Sequence, residues 1–362
     1  MSAPLLLKAG RALVDGAVRD DVDVLLADGV VNAVGPGLAV PPSTQVLELS
    51  DGLLAPGYVD LHVHALDGHG LVGEGSPDVP GLARALATRG VTSFLATTAA
   101  APVAELVQVL AGLADGGAGA RCLGAHLEGP WLAAAKAGAQ PRDALALPSL
   151  TDLERLLAAG PVVMLTLAPE LEGAQAVIAR AAAAGVVVAL GHSAAGYDVA
   201  GAAVAAGARH VTHCFNAMPP LHHREPGLVG MALDRGEVTV EAIADGVHLH
   251  PAVLRLLWRA CGPHRVCLVS DAVDVALPGT QAARLPDGTL AGSRVGLDAC
   301  VRNAVAWGIP LADALTMGST TPAAAIGRVA ALTPGAPADV VLLDADLQVA
   351  CTVVAGVPVW QR

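Results

Sequence analysis

The sequence predicts an α/β protein: a (β/α)8 TIM barrel with a small β-sandwich domain built from both termini. Three observations support this prediction: short apolar runs alternate with helical stretches in the middle of the chain, eight such runs occur, and strand-like alternation appears at both ends. Alternating strands and helices give a parallel sheet, and eight repeats favour a closed barrel. We predict the small domain over residues 1–54 and 331–362 and the barrel over residues 55–330.

The two ends of the chain contain the strands expected for the small domain. These segments are Val22–Leu26, Gln45–Leu49, Val340–Leu343, Val349–Val354 and Val357–Trp360. Asp28-Gly29 and Asp51-Gly52 are turn signals after the first two segments, and Gly356 marks a turn between the last two.

The middle of the chain contains the repeats expected for the barrel. The eight predicted strands are Tyr58–His64, Val91–Thr97, Arg121–Leu127, Val162–Leu167, Val186–Leu190, Arg209–His213, Val238–Ile243 and Arg265–Ser270. Helical stretches between them include Val103–Leu113, Leu153–Ala158, Ala174–Ala183 and Ala252–Ala260. In the second of these stretches, Leu153, Leu156 and Leu157 lie on one helical face.

Composition excludes several classes of protein. With 54% hydrophobic and 15% charged residues, the chain is not disordered, and its net charge of −12 argues against nucleic acid as a partner. The longest apolar runs, Ala181–Gly191 and Val199–Ala208, are about half of a membrane span, so we predict no membrane segment. The six cysteines show no paired spacing, which favours a reduced, cytoplasmic setting.

Polar residues lie where the predicted barrel strands end. Catalytic groups of such barrels come from the carboxyl ends of several strands, which share one face. His62 and His64 are two positions apart on one strand, so both imidazoles point inward and suit a divalent metal. A lone histidine at a strand end is usually structural, but six metal-capable residues at five strand ends predict a metal site. They are His62, His64, Glu128, His192, His213 and Asp271.

At this point the sequence resembles a known family. Residues 56–64, Pro-Gly-Tyr-Val-Asp-Leu-His-Val-His, resemble the opening motif of the amidohydrolase superfamily. Within it, seven further motifs are similar to those of the N-acetylglucosamine-6-phosphate deacetylase family: His126–Pro130, Gly191–Ser193, Thr212–Met218, Arg224–Gly227, Ala244–His248, Ser270–Ala272 and Leu290–Ser293. The resemblance runs from about Gly10 to the C-terminus and implies hydrolysis of an N-acetyl amino-sugar phosphate to the amino sugar phosphate and acetate.

The resemblance also implies a role for each metal-capable residue. Glu128, His192 and His213 match the core metal site of the family, and the His62/His64 pair makes a second ion possible, with Glu128 as the bridge. Asp271 matches the general base and acid, the role that the chemistry of amide hydrolysis requires beside a metal-activated water. Ligands without cysteine suit one or two ions of Zn²⁺, Fe²⁺, Mn²⁺ or Co²⁺ alike.

Substrate contacts are implied in the same way. The family uses the positions of Asn216 and Ala217 for the sugar phosphate and that of Arg224 for the phosphate, which a guanidinium matches bidentately. His248 matches a phosphate-contacting histidine that the family donates across a dimer interface, and this implies a homodimer. Leu290, Ala291 and Gly292 would close over the sugar. The acetamide end would face Ala139 and Gln140.

Gln140 is a departure from the family pattern. The family usually has Gly-x-His where this chain has Gly138-Ala139-Gln140. Glutamine can donate and accept hydrogen bonds, but it cannot carry a proton. We therefore expect reduced activity, an altered sugar preference or a substitute group; His126 is no clear replacement, because it shares a strand face with Glu128 and could simply fill the barrel.

Four alternatives remain at the sequence level. The substrate could be the galactosamine epimer, N-acetylgalactosamine 6-phosphate. A dihydroorotase or hydantoinase would need a carbamylated lysine at the end of the fourth strand, where this chain has Leu167-Ala168-Pro169-Glu170. A cytosine- or adenosine-type deaminase would not explain Arg224 or Glu128. A degenerate relative that only binds amino-sugar phosphates has Gln140 as its sole support.

Overall fold

A computed structural model describes residues 3–72, 77–113, 116–274 and 282–362. The strands are β1 Leu5–Val14, β2 Ala17–Ala27, β3 Val30–Gly35, β4 Gln45–Pro56, β5 Tyr58–Val63, β6 Ala65–Leu66, β7 His69–Gly70, β8 Val91–Thr98, β9 Arg121–Glu128, β10 Val162–Leu167, β11 Val187–Leu190, β12 His210–Val211, β13 Thr239–Ile243, β14 Val266–Val269, β15 Ala282–Arg284, β16 Leu290–Ser293, β17 Val340–Leu343, β18 Val349–Val354 and β19 Val357–Gln361.

The α-helices are α1 Val79–Ala87, α2 Val103–Ala111, α3 Leu150–Ala159, α4 Ala174–Ala183, α5 Tyr197–Ala206, α6 Gly227–Asp234, α7 Pro251–Cys261, α8 Leu297–Ala306, α9 Leu311–Gly318 and α10 Thr320–Ala325. Two short 3-10 helices, Ala134–Lys136 and Arg142–Ala144, follow β9. Within the described ranges, no helix combines the length and the apolarity that a membrane span requires.

The predicted barrel is confirmed. Its eight strands are hydrogen-bonded in the order β5-β8-β9-β10-β11-β12-β13-β14, and every neighbouring pair is parallel. The last strand returns to the first through a parallel bridge between Val63 and Ala272. Beside it, the Asp271 N–H donates to the His62 carbonyl over 2.8 Å. Closure of the barrel therefore places Asp271 beside the His-Val-His segment at the other end of the sheet.

The predicted β-domain from both termini is also confirmed. Its seven strands are hydrogen-bonded in the order β19-β18-β17-β4-β1-β2-β3. β4 joins the two halves, since it lies parallel to β1 and antiparallel to β17. Leu7, Val24, Leu54, Val340 and Val353 are fully buried in a core of this domain's own. Both termini thus contribute to one sheet and one hydrophobic core.

All eight barrel strands were expected, but the sixth is shorter than predicted. The predicted segment Arg209–His213 contains a strand only at His210–Val211. The chain leaves extended geometry directly afterwards, because His213 has a φ of 25°. The sequence pattern could not predict this early end of the strand, because it depends on the backbone turn of His213 at the barrel mouth.

Candidate active site

Strand ends bring the predicted metal-capable residues together at one mouth of the barrel. His62 lies in β5 and Glu128 ends β9. His192, His213 and Asp271 follow β11, β12 and β14, respectively. All six predicted side chains, including that of His64, are buried. Every one of them lies where the sequence analysis placed it, so residues more than 200 positions apart share one site.

The residues form two clusters around one carboxylate. In the first cluster, Glu128 Oε1 lies 3.0 Å from His192 Nε2 and 3.1 Å from His213 Nε2, and the two nitrogens are 3.1 Å apart. The second cluster comprises His62, His64 and Asp271. Glu128 also faces this cluster, with Oε1 3.5 Å from His62 Nε2 and Oε2 3.3 Å from His64 Nε2.

The second cluster has similarly close donor atoms. The Nε2 atoms of His62 and His64 are 3.2 Å apart, and Asp271 Oδ1 lies 3.4 Å from each of them. Glu128 is therefore the group that faces both clusters, as a bridging ligand would.

The hydrogen bonds on the opposite sides of the rings indicate which nitrogens face the clusters as lone pairs. His192 Nδ1 lies 2.8 Å from the Lys136 carbonyl oxygen, which can only accept, so this nitrogen carries a proton. His62 Nδ1 donates to Glu241 Oε2 over 2.9 Å. In the neutral rings, Nε2 then carries a lone pair, which points at the other metal-capable atoms about 3 Å away. Lone pairs that converge with carboxylates fit a divalent cation.

The electrostatics of the site point the same way. Burial would lower the pKa of His64, but hydrogen bonds to Asp271 and Glu128 raise it to about 9. Burial would raise the pKa of Asp271, but His62 and His64 hold it below its usual value. The site thus keeps Asp271 ionised and has a negative field that attracts a cation, which competes with protons for the imidazoles.

Three of these residues adopt backbone conformations that non-glycine residues rarely use. The φ angles are 47° at His192, 25° at His213 and 44° at Asp271. Each follows the end of a barrel strand, where the chain must turn sharply to aim the side chain into the mouth. Such backbone strain concentrates at functional sites, where the surrounding structure holds it.

Most of the predicted substrate residues line the same cavity. Its volume is about 270 Å³, and its lining includes Ala139, Gln140, Asn216, Ala217, His248, Leu290, Ala291 and Gly292, together with His64, Glu128, His192, His213 and Asp271. Leu290, Ala291 and Gly292 belong to β16, which pairs with β15 in a small hairpin. The metal-capable clusters and the predicted sugar contacts therefore share one cavity.

One of the two predicted phosphate residues, Arg224, lies outside this cavity. Arg224 is exposed, its Nη1 lies 2.8 Å from His223 Nε2, and it lines a separate cavity with Tyr197 and Glu225. His248 lines the substrate cavity of its own chain, where Asp245 Oδ2 holds its Nδ1 at 2.7 Å. Donation of His248 across a dimer interface stays a prediction.

Gln140 contacts the metal-capable carboxylate. Its Nε2 donates to Glu128 Oε2 over 2.5 Å, and its Oε1 accepts a hydrogen bond from the Ala100 N–H over 2.7 Å. The side chain is thus held between a backbone amide and Glu128. This arrangement uses both the donor and the acceptor of the amide.

Sequence reasoning missed Glu241, a fully buried glutamate in β13. Its carboxylate contacts the His62 ring, the His210 ring and the His213 backbone. The available signal was a glutamate in the buried strand Thr239–Ile243, where a charge needs a partner. His126, by contrast, fills the barrel as expected: its nitrogens contact the Leu61 carbonyl and the Thr166 hydroxyl.

Comparisons with known proteins agree with this geometry. The sequence model of the Amidohydrolase family matches residues 53–359. An N-acetylgalactosamine-6-phosphate deacetylase of Escherichia coli O157:H7 is 37% identical over 95% of this chain and 96% of its own length. An N-acetylglucosamine-6-phosphate deacetylase of Vibrio furnissii is also 37% identical, over 84% of this chain and 82% of its own length.

A solved structure extends the comparison to three dimensions. A point mutant of N-acetyl-D-glucosamine-6-phosphate deacetylase from Mycobacterium smegmatis, in complex with N-acetyl-D-glucosamine-6-phosphate, superimposes with a TM-score of 0.89 at 34% identity. The alignment covers 99% of this chain and 100% of the other. The similarity thus includes both the barrel and the terminal β-domain.

Proposed function

Because this chain belongs to the amidohydrolase family, we propose that it removes the acetyl group of N-acetyl-D-glucosamine 6-phosphate, giving D-glucosamine 6-phosphate and acetate. The observation that carries the proposal is that two metal-capable clusters, the second of which includes an ionised Asp271, line one cavity. Relatives that cover most of the chain are named for this activity or for that on the galactosamine epimer.

The chain's donors would hold one or two divalent ions. Glu128, His192 and His213 would hold the first, and His62 and His64, with Glu128 as the bridge and Asp271 beside them, the second. Nitrogen and carboxylate donors without cysteine accept Zn²⁺, Fe²⁺, Mn²⁺ or Co²⁺. When bound, such an ion polarises a carbonyl and lowers the pKa of water.

Asp271 would carry out the proton transfers of the reaction. Its carboxylate takes a proton from the attacking water as a general base, and then delivers it to the departing amine nitrogen as a general acid. The first step requires an ionised carboxylate, and Asp271 is ionised at neutral pH. Burial among polar side chains keeps bulk water from competing for that proton.

The cavity walls would hold the sugar phosphate. Asn216, Ala217 and His248 line the same cavity and would face the phosphate end, and the β16 segment Leu290–Gly292 would cover the sugar. Gln140 and Ala139 also line the cavity and would face the acetamide. Since Gln140 is anchored to Glu128, its contribution would be to fix this metal ligand as well as to contact the substrate.

The galactosamine epimer is a second candidate substrate. The relative from Escherichia coli O157:H7, which carries the name of that activity, matches 95% of this chain. The two sugars differ only in the orientation of one hydroxyl group, so their discrimination depends on hydrogen bonds in the wall of the cavity. Both substrates release acetate and would use the same metal-capable clusters.

The direct test is acetate release from both epimers by metal-loaded protein. We expect acetate and free amine in equal amounts, loss of turnover after chelation, and recovery on addition of Zn²⁺, Mn²⁺, Fe²⁺ or Co²⁺. Comparison of kcat/KM then identifies the preferred sugar. No acetate from either epimer, with bound metal confirmed, would refute the proposal, and ammonia without acetate would indicate a deaminase.

Arg224 supplies a prediction about phosphate recognition. A charge-assisted hydrogen bond contributes about 1.5–3 kcal/mol, so Arg224→Ala should raise KM for the phosphorylated substrate by roughly 10–100-fold, with little change in kcat. Steady-state kinetics of the phosphorylated sugar, with unphosphorylated N-acetylglucosamine as the comparison, measure the effect. Arg155→Ala, at another exposed arginine, is the matched control. An unchanged KM in Arg224→Ala would contradict the phosphate role.

We also propose a homodimer in a reduced, cytoplasmic setting. The cysteines form no disulfide among the described residues. Arg224 lies outside the substrate cavity of its own chain, so it would reach a phosphate by movement of its loop or from a partner subunit. Analytical ultracentrifugation tests the dimer. Mixed dimers of Arg224→Ala and Asp271→Asn chains would show whether Arg224 acts across the interface.

A further inference from the structure

We infer that Glu241 is a positioning residue that fixes the two metal-capable clusters relative to each other and allows the second cluster to bind an ion. The inference rests on the proposed metal-dependent function. Glu241 lies in the middle of β13, points into the barrel and is fully buried beneath the clusters. A buried carboxylate is retained only where its partners compensate for the loss of water.

One oxygen of Glu241 joins both clusters. Oε2 lies 2.9 Å from His62 Nδ1, in the second cluster. The same atom accepts a hydrogen bond from the backbone N–H of His213, in the first cluster, also over 2.9 Å. His213 has a φ of 25°, a conformation that needs support from its surroundings. Glu241 therefore fixes a ring in one cluster and a strained backbone in the other.

The contact with His62 determines which nitrogen faces the ion. Because the carboxylate can only accept, Nδ1 of His62 carries the proton and Nε2 presents its lone pair to His64, Asp271 and Glu128. Carboxylates behind metal-ligating histidines set the tautomer and the ring orientation in this way. Without that acceptor, His62 could place its proton on Nε2, which would block the second cluster.

The other oxygen of Glu241 is held from the opposite side. His210 Nε2 lies 3.2 Å from Oε1, and His210 Nδ1 lies 2.6 Å from the Thr239 hydroxyl. Both carboxylate oxygens therefore have partners on different strands. The carboxylate cannot rotate without breaking contacts to β5, β12 and the segment after β12 at once.

A third metal site is the competing interpretation, because His62, His126 and Glu241 also lie close together. The contacts of His126 argue against it. Its Nδ1 bonds to the Leu61 carbonyl and its Nε2 to the Thr166 hydroxyl, at 3.0 and 2.7 Å. Neither nitrogen points freely at a cation, and both oxygens of Glu241 are also in use. The group is therefore a hydrogen-bonded support for the clusters.

Glu241→Gln tests the inference through metal binding. Removing such a supporting carboxylate typically weakens metal affinity by about 10–100-fold. We expect the second ion to lose about that much affinity. The first ion should be weakened less, because Glu241 contacts only the backbone N–H of His213 and not its ring. Calorimetric titration of the metal-free protein with Zn²⁺ or Mn²⁺, with elemental analysis of the bound metal, resolves the two steps. These readouts need no turnover, so they stand even if the deacetylase proposal fails.

A double-variant cycle and a control separate positioning from general stability. If Glu241 acts on the second ion through His62, Glu241→Gln should have no further effect on that ion in a His62→Ala background. Thr166→Val removes another buried hydrogen bond in the barrel without touching Glu241, and should leave both ions bound. Wild-type affinity for both ions in Glu241→Gln would overturn the inference, as would equal weakening of both with a lowered melting temperature.

A second measurement keeps the inference testable should Glu241→Gln fail to fold. Long-range ¹H–¹⁵N spectra of histidine-labelled wild-type protein report the tautomer of each ring. The His62 signals are assigned by comparison with His62→Gln. We expect the proton of His62 on Nδ1 in the metal-loaded protein, and a proton on Nε2 would overturn the inference.

Discussion

Replacing Asp271 with asparagine is expected to lower kcat by about 10²–10⁴-fold, the usual contribution of general acid–base catalysis. Asparagine has almost the same shape as aspartate, but its amide cannot accept a proton from water and pass it to an amine. The exchange also suits the backbone, because Asp271 has a φ of 44° and asparagine tolerates that region. The main-chain bonds to His62 and Ser293 remain, so the barrel should close as before.

The Asp271→Asn experiment requires metal and substrate binding to be measured beside turnover. We expect near wild-type metal content and a similar dissociation constant for the substrate. Asp274→Asn is the matched control, since Asp274 lies three residues along and accepts a hydrogen bond from the Gly68 N–H outside the clusters. Undiminished turnover would contradict the proton-transfer role. Loss of one ion would instead make Asp271 a ligand that the second cluster needs.

Much of this site could be predicted from the sequence because of where the polar residues stand. Buried parallel strands read as apolar runs, so the eight barrel strands were evident. A lone histidine at the end of such a run is usually structural, but the barrel brings all such ends to one face, so six metal-capable residues at five strand ends indicate a shared site. His62 and His64 add strand periodicity, which places both rings inward. These arguments need only the local pattern of apolar and polar residues and the assumption of a barrel fold.

Contacts between distant elements could not be predicted in the same way. His62 and Glu241 are 179 positions apart, and no local pattern says which polar groups meet beneath the barrel mouth. The sequence left the role of Gln140 open. Its contacts with the Ala100 amide and with Glu128 depend on the conformation of the loop after β9. The contacts of Arg224 and His248 were equally unpredictable, because a sequence motif identifies a residue but not the residues that surround it in space.

The supporting contacts explain why the site holds its shape before substrate binds. Lys136 and Glu241 orient the rings of His192 and His62 through their Nδ1 atoms. Gln140 holds one oxygen of Glu128 from the other side. Three of the donors therefore have a second contact that fixes their direction, as a preorganised metal centre requires, whereas Nδ1 of His64 and Nδ1 of His213 have no hydrogen-bond partner among the described residues. The strained φ angles at the strand ends are tolerated because this network restrains the residues.

Glu128→Gln is expected to have the broadest effect on the site, because Glu128 is the carboxylate that faces both clusters. Its Oε1 lies within 3.5 Å of His62, His192 and His213, and its Oε2 lies 3.3 Å from His64. Removing one partner of a buried ion pair costs about 3–5 kcal/mol, which corresponds to roughly 10²–10⁴-fold in affinity. We expect both ions to be weakened and deacetylation to fall to background.

Metal titration and acetate release on the same Glu128→Gln sample test this expectation, with Glu170→Gln as the matched control. Glu170 also follows a barrel strand, but it accepts hydrogen bonds from Ser193 and the Ala194 N–H rather than facing the clusters. The control should keep both ions and most of its activity. If Glu128→Gln lost only the ion at His192 and His213 and kept the other at full affinity, Glu128 would not be a bridge. The two clusters would then be independent sites, because a shared carboxylate cannot be removed from one ion alone.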